Sequence, residues 1–341
     1  MRNGRVRSRA KAQGGSLGES VLKSAPDDQV RIGVSACLLG REVRFDGGHK
    51  RDRFLTDILA PFVEWVPVCP ELEVGMGVPR EPVRLVRRGG EIRMVAEKSG
   101  TDHTAAMRAW AAKRVHELEA LDLHGYVFKK GSPSCGVERV RIYEKGGVAS
   151  KAGRGLFAEE LIARLNDLPI EEEGRLNDAA LRENFLERVF AYRRLRSLFA
   201  KRWRRRDLSE FHAAHKLQLM AHSPSHYREL ARLVADCRRY TPAKLQAAYE
   251  AGFMKGLAHK ATVRRHVNVM QHMIGYFSAS LNEDSRAEIH RLVADYRSGL
   301  LPLIVPLTLI RHHVRSFGIT YLAQQVYLDP HPKELMLRNH V

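Results

Sequence analysis

The chain has 341 residues, 57 Lys and Arg against 39 Asp and Glu, a formal net charge of +18, and four cysteines. That length suggests two domains, and no run approaches the roughly 20 apolar residues of a membrane span. The basic, Gly/Ser-rich start lacks the apolar stretch of a secretory signal, and four scattered cysteines make no disulfide framework, so a cytoplasmic protein without a membrane partner is expected.

Residues 1–28 are expected to form a disordered basic tail. From 29 to about 168, short apolar runs alternate with helical stretches. VRIGVSA reads as a strand and runs into Cys37 of SACLLG; a helix is predicted near 52–63, and VEWVPV runs into Cys69 of PVCPE. VRLVRRGGEIRMV reads as a hairpin turning at Gly89 and Gly90. In TAAMRAWAAKRVHELEAL the apolar residues Met107, Trp110, Ala111, Val115 and Leu118 follow a helical period. GYVFKKG is the next strand, and Cys135 of GSPSCG follows it. The alternation predicts a three-layer α/β domain with a mostly parallel sheet over 29–170.

A proline and an acidic run in NDLPIEEEGRLND mark the expected boundary. Residues 175–341 read as closely spaced amphipathic helices, which predicts an all-α helical bundle. Ser223-Pro224 and Thr241-Pro242 each pair an N-cap residue with proline at the first helical position. This part holds 28 Lys and Arg against 14 Asp and Glu, and 12 of the 16 histidines. Such an excess is the footprint of a polyanion partner, nucleic acid above all, or else a solvated basic face.

In a parallel sheet the loops at the carboxyl ends of strands gather on one edge. Thiolates of Cys37, Cys69 and Cys135 could therefore meet there, although 32 and 66 residues separate them. Three soft ligands suit an iron–sulfur cluster or zinc and leave one coordination position for a substrate. The competing reading is three buried core cysteines, since no C-x-x-C pair is present. Cys237, in RLVADCRRY on a predicted helix, reads as a core residue.

At SACLLGREVRFDGG, PVCPE and GSPSCG the first domain resembles the thiouracil desulfidase family. At FHAAHKLQLMAHSPSHYRELARLV and QQVYLDPHP the second resembles a YbgA-like helical domain often fused to it. The resemblance implies a [4Fe–4S] cluster on Cys37, Cys69 and Cys135, its fourth iron free to take a substrate sulfur, and removal of sulfur from 4-thiouridine in tRNA. Free thiouracil is the alternative substrate; a nucleic-acid-binding module with structural zinc is the alternative of another class. The net change is hydrolytic, so no nucleotide cofactor is needed, and the chain lacks both G-x-x-x-x-G-K-S/T and G-x-G-x-x-G.

Glu71, two residues after Cys69, is the expected general base, or else a turn or helix-cap carboxylate. Ser132 and Ser134 flank Pro133 and are placed to bond a pyrimidine edge or a cluster sulfide, or are plain turn residues. Asp46 and Asp102 are secondary candidates that could instead cap a turn and a helix. In the second domain His212, His215 and Lys216 are expected on one helix face, with His222, Tyr227 and Arg228 nearby, as an RNA-contacting surface. A metal pair at His212 and His215, or histidines satisfied inside the bundle, are the other readings. The run at 194–206, with Arg202, Arg204, Arg205, Arg206 and Trp203, is expected to contact phosphates or to be a solvated helix end.

Overall fold

The computed structural model describes residues 29–144 and 148–341, so the basic tail lies outside the described residues. Its strands are β1 (Val30–Ser35), β2 (Val63–Val68), β3 (Val83–Arg88), β4 (Glu91–Ala96), β5 (Gly125–Phe128), β6 (Val140–Tyr143), β7 (Ala149–Gly153) and β8 (Ile170–Glu172). Helices α1 (Pro70–Glu73), α2 (Thr104–Ala120) and α3 (Leu156–Arg164) lie among them. Then follow α4 (Ala179–Phe199), α5 (Arg205–Ala214), α6 (Lys216–His222), α7 (Pro224–Ala235), α8 (Pro242–Ala258), α9 (Val263–Ile274), α10 (Glu283–Arg297), α11 (Ile304–Ser316) and α12 (Thr320–Ala323).

One sheet has the order β2-β1-β5-β8, all parallel. A second, β4-β3-β6-β7, is mixed and carries the expected hairpin, in register from Val83 with Ala96 to Arg88 with Glu91. Side chains of a strand alternate between faces, and the parallel sheet is apolar on both. Val68, Tyr126 and Phe128 pack on α2 and α3 through Ala111, Val115, Leu118, Phe157 and Leu161. Val30, Ile32, Val34 and Val127 pack the other way, on Leu55 and Leu59 and on Phe185, Leu186 and Val189 of α4. The three-layer domain is present, and its second outer layer is α4.

That helix lies beyond the expected boundary, as does most of the acidic run. β8 is the fourth strand of the parallel sheet, and buried Glu172 accepts backbone N–H groups of Val137 (2.8 Å) and Glu138 (3.3 Å). α4 faces the sheet on one side; on the other, Ala191 and Leu195 enter the bundle core with Leu208, Leu219, Leu245 and Phe253. A β-carbon on Gly125 would stand 2.8 Å from Val189, so glycine there lets α4 close on the sheet. The C-terminal residues Leu335 and Leu337 return to the same α/β core. The segment predicted as a helix at 52–63 is a wider turn of helix at Phe54–Leu59 followed by a 3₁₀ turn at Ala60–Phe62, with Pro61 at the junction. No helix among the described residues is long and apolar enough to cross a membrane.

Candidate functional site

Because β2, β1 and β5 are parallel neighbours, their carboxyl ends lie on one edge. Cys37 sits in the 3₁₀ turn after β1, Cys69 directly after β2 as the N-cap of α1, and Cys135 in the loop after β5. All three line one cavity of about 420 Å³, together with Arg44, Phe45, Glu71, Arg80, Lys129 and Ser132. Burial pushes the Cys37 thiol up to about 11 against the pull of Lys129, and burial likewise raises Cys69. Burial drives Cys135 well up in spite of a hydrogen bond with Ser35. Neutral thiols gain little by approaching one another. Among the described residues no three such groups are already closed to metal-ligand spacing: the sulfurs share a cavity, not a preformed triangle. Their soft donor set and common wall suit a thiophilic iron centre, whose binding would deprotonate them beside Arg44, Arg80 and Lys129.

The Cys135 loop is held by its backbone. Ser132 Oγ accepts the N–H groups of Ser134 and Cys135, each at 3.2 Å, and Gly136 N–H donates to Ser132 O at 2.8 Å. Phe157 N–H, in the first turn of α3, donates to Ser134 O at 3.1 Å. A β-carbon on Gly155 would lie 2.4 Å from the Ser134 carbonyl and 2.7 Å from Cys135 N, so this approach requires glycine. The opposite wall is α1, where Cys69 N–H donates to Glu73 Oε1 at 2.9 Å and Glu73 pairs with Arg114 at 3.1 Å.

Glu71 projects from α1 between these walls. Its Oε1 accepts the Ser134 hydroxyl at 2.7 Å and its Oε2 accepts Arg80 Nε at 3.0 Å. Arg80, 6% exposed at its side chain, also donates to Val43 O and Gly77 O, each at 3.0 Å. The chain of bonds Val43–Arg80–Glu71–Ser134 thus links all three cysteine loops. Lys129 Nζ pairs with Glu173 Oε1, and Glu173 Oε2 accepts the Lys130 N–H at 2.7 Å. Arg80, Lys129 and Glu173 escaped the sequence reading because an arginine between prolines, a lysine ending a strand and an acid in a charged run match no motif; only strand order brings them together.

Of the residues expected here, Glu71, Ser132 and Ser134 are at the cavity or bonded to it. Asp46 is not. Its carboxylate accepts the Gly48 N–H at 3.1 Å and pairs with Arg44 at 3.3 Å in an exposed turn outside the lining, where it shapes the turn. Asp102, one residue ahead of the N-cap of α2, accepts the Thr104 N–H at 2.9 Å and pairs with Arg93 at 3.2 Å, away from the cavity lining.

The expected RNA face divides. His212, His215 and His222 are buried, and the helix predicted through them breaks at His215, which separates α5 from α6. The His215 ring stacks on Phe211 at 3.9 Å and its Nδ1 meets the Phe211 carbonyl at 2.8 Å. His212 bonds the Tyr249 hydroxyl at 3.1 Å, stacks on half-buried Tyr227 at 5.6 Å, and is pulled down to about 4 by burial. His222 Nε2 meets Glu187 Oε2 at 2.8 Å, and Arg338 bridges Glu187 and Glu183 at 3.0 and 2.9 Å. These histidines hold the bundle together and offer no surface to a partner. Lys216 is half-buried with its Nζ 5.9 Å from the Tyr321 ring, whereas Arg228 is exposed. Arg202, Arg204, Arg205 and Arg206 are exposed and, with Trp203 and Pro242, line a second cavity of about 510 Å³. Arg204 pairs with Asp207 at 3.2 Å and Arg206 with Glu210 at 2.7 Å; Arg205 donates to the carbonyls of Cys237 and Tyr240. Cys237 packs against the bundle core, as expected of a structural thiol.

Residues 32–173 match the family model described as 2-thiouracil desulfurase, and residues 216–332 match a family described as a protein of unknown function, DUF1722. The chain is 31% identical over 158 residues to the uncharacterized protein YbgA of Escherichia coli (strain K12), spanning 46% of this chain and 94% of that one. It is 32% identical over 108 residues to the uncharacterized protein YbbK of Bacillus subtilis (strain 168), spanning 30% of this chain and 71% of that one. A solved structure named [4Fe-4S]-dependent thiouracil desulfidase TudS matches at 34% identity and a TM-score of 0.36, over 45% of this chain and 97% of that chain. The chain therefore joins, in one polypeptide, an N-terminal domain of the 2-thiouracil desulfurase family to a C-terminal DUF1722, YbgA-like helical domain.

Proposed function

We propose that the protein removes sulfur from 4-thiouridine in tRNA and leaves uridine, using a [4Fe–4S] cluster held by Cys37, Cys69 and Cys135. The observation that carries this reading is one cavity lined by thiols from three separate loops beside a paired, half-shielded carboxylate. When bound, such a cluster supplies a Lewis-acidic, sulfur-seeking iron that polarises a thiocarbonyl. The change is a hydrolysis: a water oxygen replaces sulfur on the pyrimidine carbon, and sulfur departs as hydrosulfide.

The chain's own residues serve the proton and positioning steps. Glu71 faces the cavity with Arg80 fixing one oxygen, so its other oxygen is aimed to take a proton from water. Ser134 donates to that second oxygen at 2.7 Å, which holds the carboxylate in one rotamer and offers a path for the proton to return. Ser132 braces the turn carrying Cys135 with its hydroxyl oxygen. The exposed arginines 202 and 204–206 around Trp203 supply phosphate contacts for a polynucleotide.

The family's description favours a second reading, free thiouracil. One experiment separates the two: anaerobically reconstituted protein is given bulk tRNA, 2-thiouracil or 4-thiouracil, and nucleosides and bases are quantified. Loss of 4-thiouridine with matching gain of uridine supports the proposal. Turnover of the free base alone supports the second reading, and a colourless, inactive protein removes both.

A further inference from the structure

Phe45 is the aromatic ring among the described residues lining the cysteine cavity. An isolated exposed phenylalanine on a protein surface means little, but this one stands at the mouth of the site on a turn with little freedom. Arg80 N–H donates to Phe45 O at 2.9 Å, Gly47 N–H to Arg44 O at 3.0 Å, and Arg44 N–H to Gly48 O at 3.2 Å. The Asp46 carboxylate closes the same turn through Gly48. Arg44 lays its guanidinium 5.3 Å from the Phe45 ring centre, covering one side of the ring, while Phe45 as a residue keeps 37% of its surface exposed. The turn is thus preorganised to present a flat apolar surface backed by a cation, at a cavity that the three thiols also line. Exposed Lys130 lies at the same cavity.

We infer that Phe45 is the stacking platform for the substrate's pyrimidine ring, and that Arg44 and Lys130 contact the phosphates beside it. The site is therefore built for a pyrimidine nucleotide and discriminates against the bare base. This rests on the reading of the cavity as a thiopyrimidine site. A planar heterocycle entering edge-first, sulfur toward the cysteines, leaves its face to be covered, and an aromatic ring does this for any pyrimidine. Discrimination between nucleotide and base needs a charge outside the cavity floor. Arg80 and Lys129 are engaged with shielded Glu71 and Glu173; at the rim, Arg44, whose pair with Asp46 lies in an exposed turn, and exposed Lys130 stand ready for that task.

The test is binding of uridine 5′-monophosphate and of uracil to the full-length protein by titration calorimetry, alongside desulfuration of tRNA. Phe45→Ala is expected to weaken both ligands, since losing one base–aromatic stack of about 1–3 kcal/mol corresponds to about 5- to 150-fold. Phe45→Tyr restores binding and Phe45→Leu does not. Lys130→Gln is expected to weaken the nucleotide about tenfold, leave uracil unchanged, and flatten the salt dependence of nucleotide binding, whereas Arg44→Gln, which also strips the cation from the Phe45 ring, weakens both ligands and the nucleotide more. Unchanged nucleotide affinity in Phe45→Ala, or equal losses for nucleotide and uracil in Lys130→Gln, overturns the inference even when tRNA desulfuration persists. Wild-type protein that binds the nucleotide through Phe45 yet never desulfurates tRNA would sink the proposed reaction and keep the platform.

Discussion

Arg80 grips Glu71 through a single carboxylate oxygen, with Nε at 3.0 Å and Nη2 at 2.5 Å, and leaves the other oxygen to Ser134. The guanidinium fork fixes the plane of the carboxylate as a lysine could not. Replacing Arg80 with methionine leaves a shielded carboxylate unpaired and unties the loop at Val43; breaking such a pair costs about 3–5 kcal/mol. Arg80→Lys keeps the charge and loses the fork. It is expected to retain most of the melting temperature while kcat falls about 10- to 100-fold. Thermal melts and steady-state kinetics on the two variants check this.

Glu71→Gln keeps the shape and removes the base. A drop of about 10²- to 10⁴-fold in kcat is expected, with unchanged melting temperature and unchanged absorbance of the reconstituted cluster. Loss of that absorbance in Glu71→Gln would make the residue a structural support for the thiols instead.

Gly155→Ala places a methyl group 2.4 Å from the Ser134 carbonyl, where backbone and not a flexible side chain must yield. The expected outcome is displacement of the Cys135 loop. Iron content per chain should fall while the helical signal of the distant bundle in circular dichroism is kept.

A fragment ending at residue 174 lacks α4, and with it the cover of Val30, Ile32, Val34 and Val127. Uncovering one face of a parallel sheet exposes apolar surface that drives aggregation. The fragment is expected to be insoluble or molten by circular dichroism and gel filtration. The activity of such a fragment would therefore report folding and not RNA grip; charge reversal at Arg202, Arg204, Arg205 and Arg206 isolates the latter, read as lost tRNA binding with an unchanged melt.

The Glu187–His222 pair gives the bundle a pH signature. Burial opposes the charge on His222, yet Glu187 overcomes it and holds the imidazolium above its ordinary 6.5. Burial also opposes the charge on Glu187, and His222 with Arg338 holds that carboxyl below its ordinary 4.5. The His222 contribution is complete below 6.5 and fades as pH rises through its folded value; the Glu187 contribution is complete above 4.5 and fades on acidification. Stability from the pair is thus greatest between 4.5 and 6.5. Melting temperature should fall as pH is raised beyond that window, and His222→Gln should flatten the fall.

How far the sequence reaches is visible in particular residues. The alternating apolar runs ending at Cys37, Cys69 and Cys135 were legible because strand periodicity and turn chemistry are local, and parallel strands carry their carboxyl ends to one edge. Glu71, Ser132 and Ser134 followed from lying within three residues of a cysteine. The basic excess of 175–341 was legible too, since charge is additive. The tertiary structure decided what depends on long-range packing: that α4 roofs the sheet across the apparent boundary, that Glu172 and Glu173 clamp the Cys135 side, and that Arg80 joins three loops. It also decided that His212, His215 and His222 turn inward. A histidine's spacing along a helix says which face it shares, but only the neighbours packed against that face decide whether water or protein meets it.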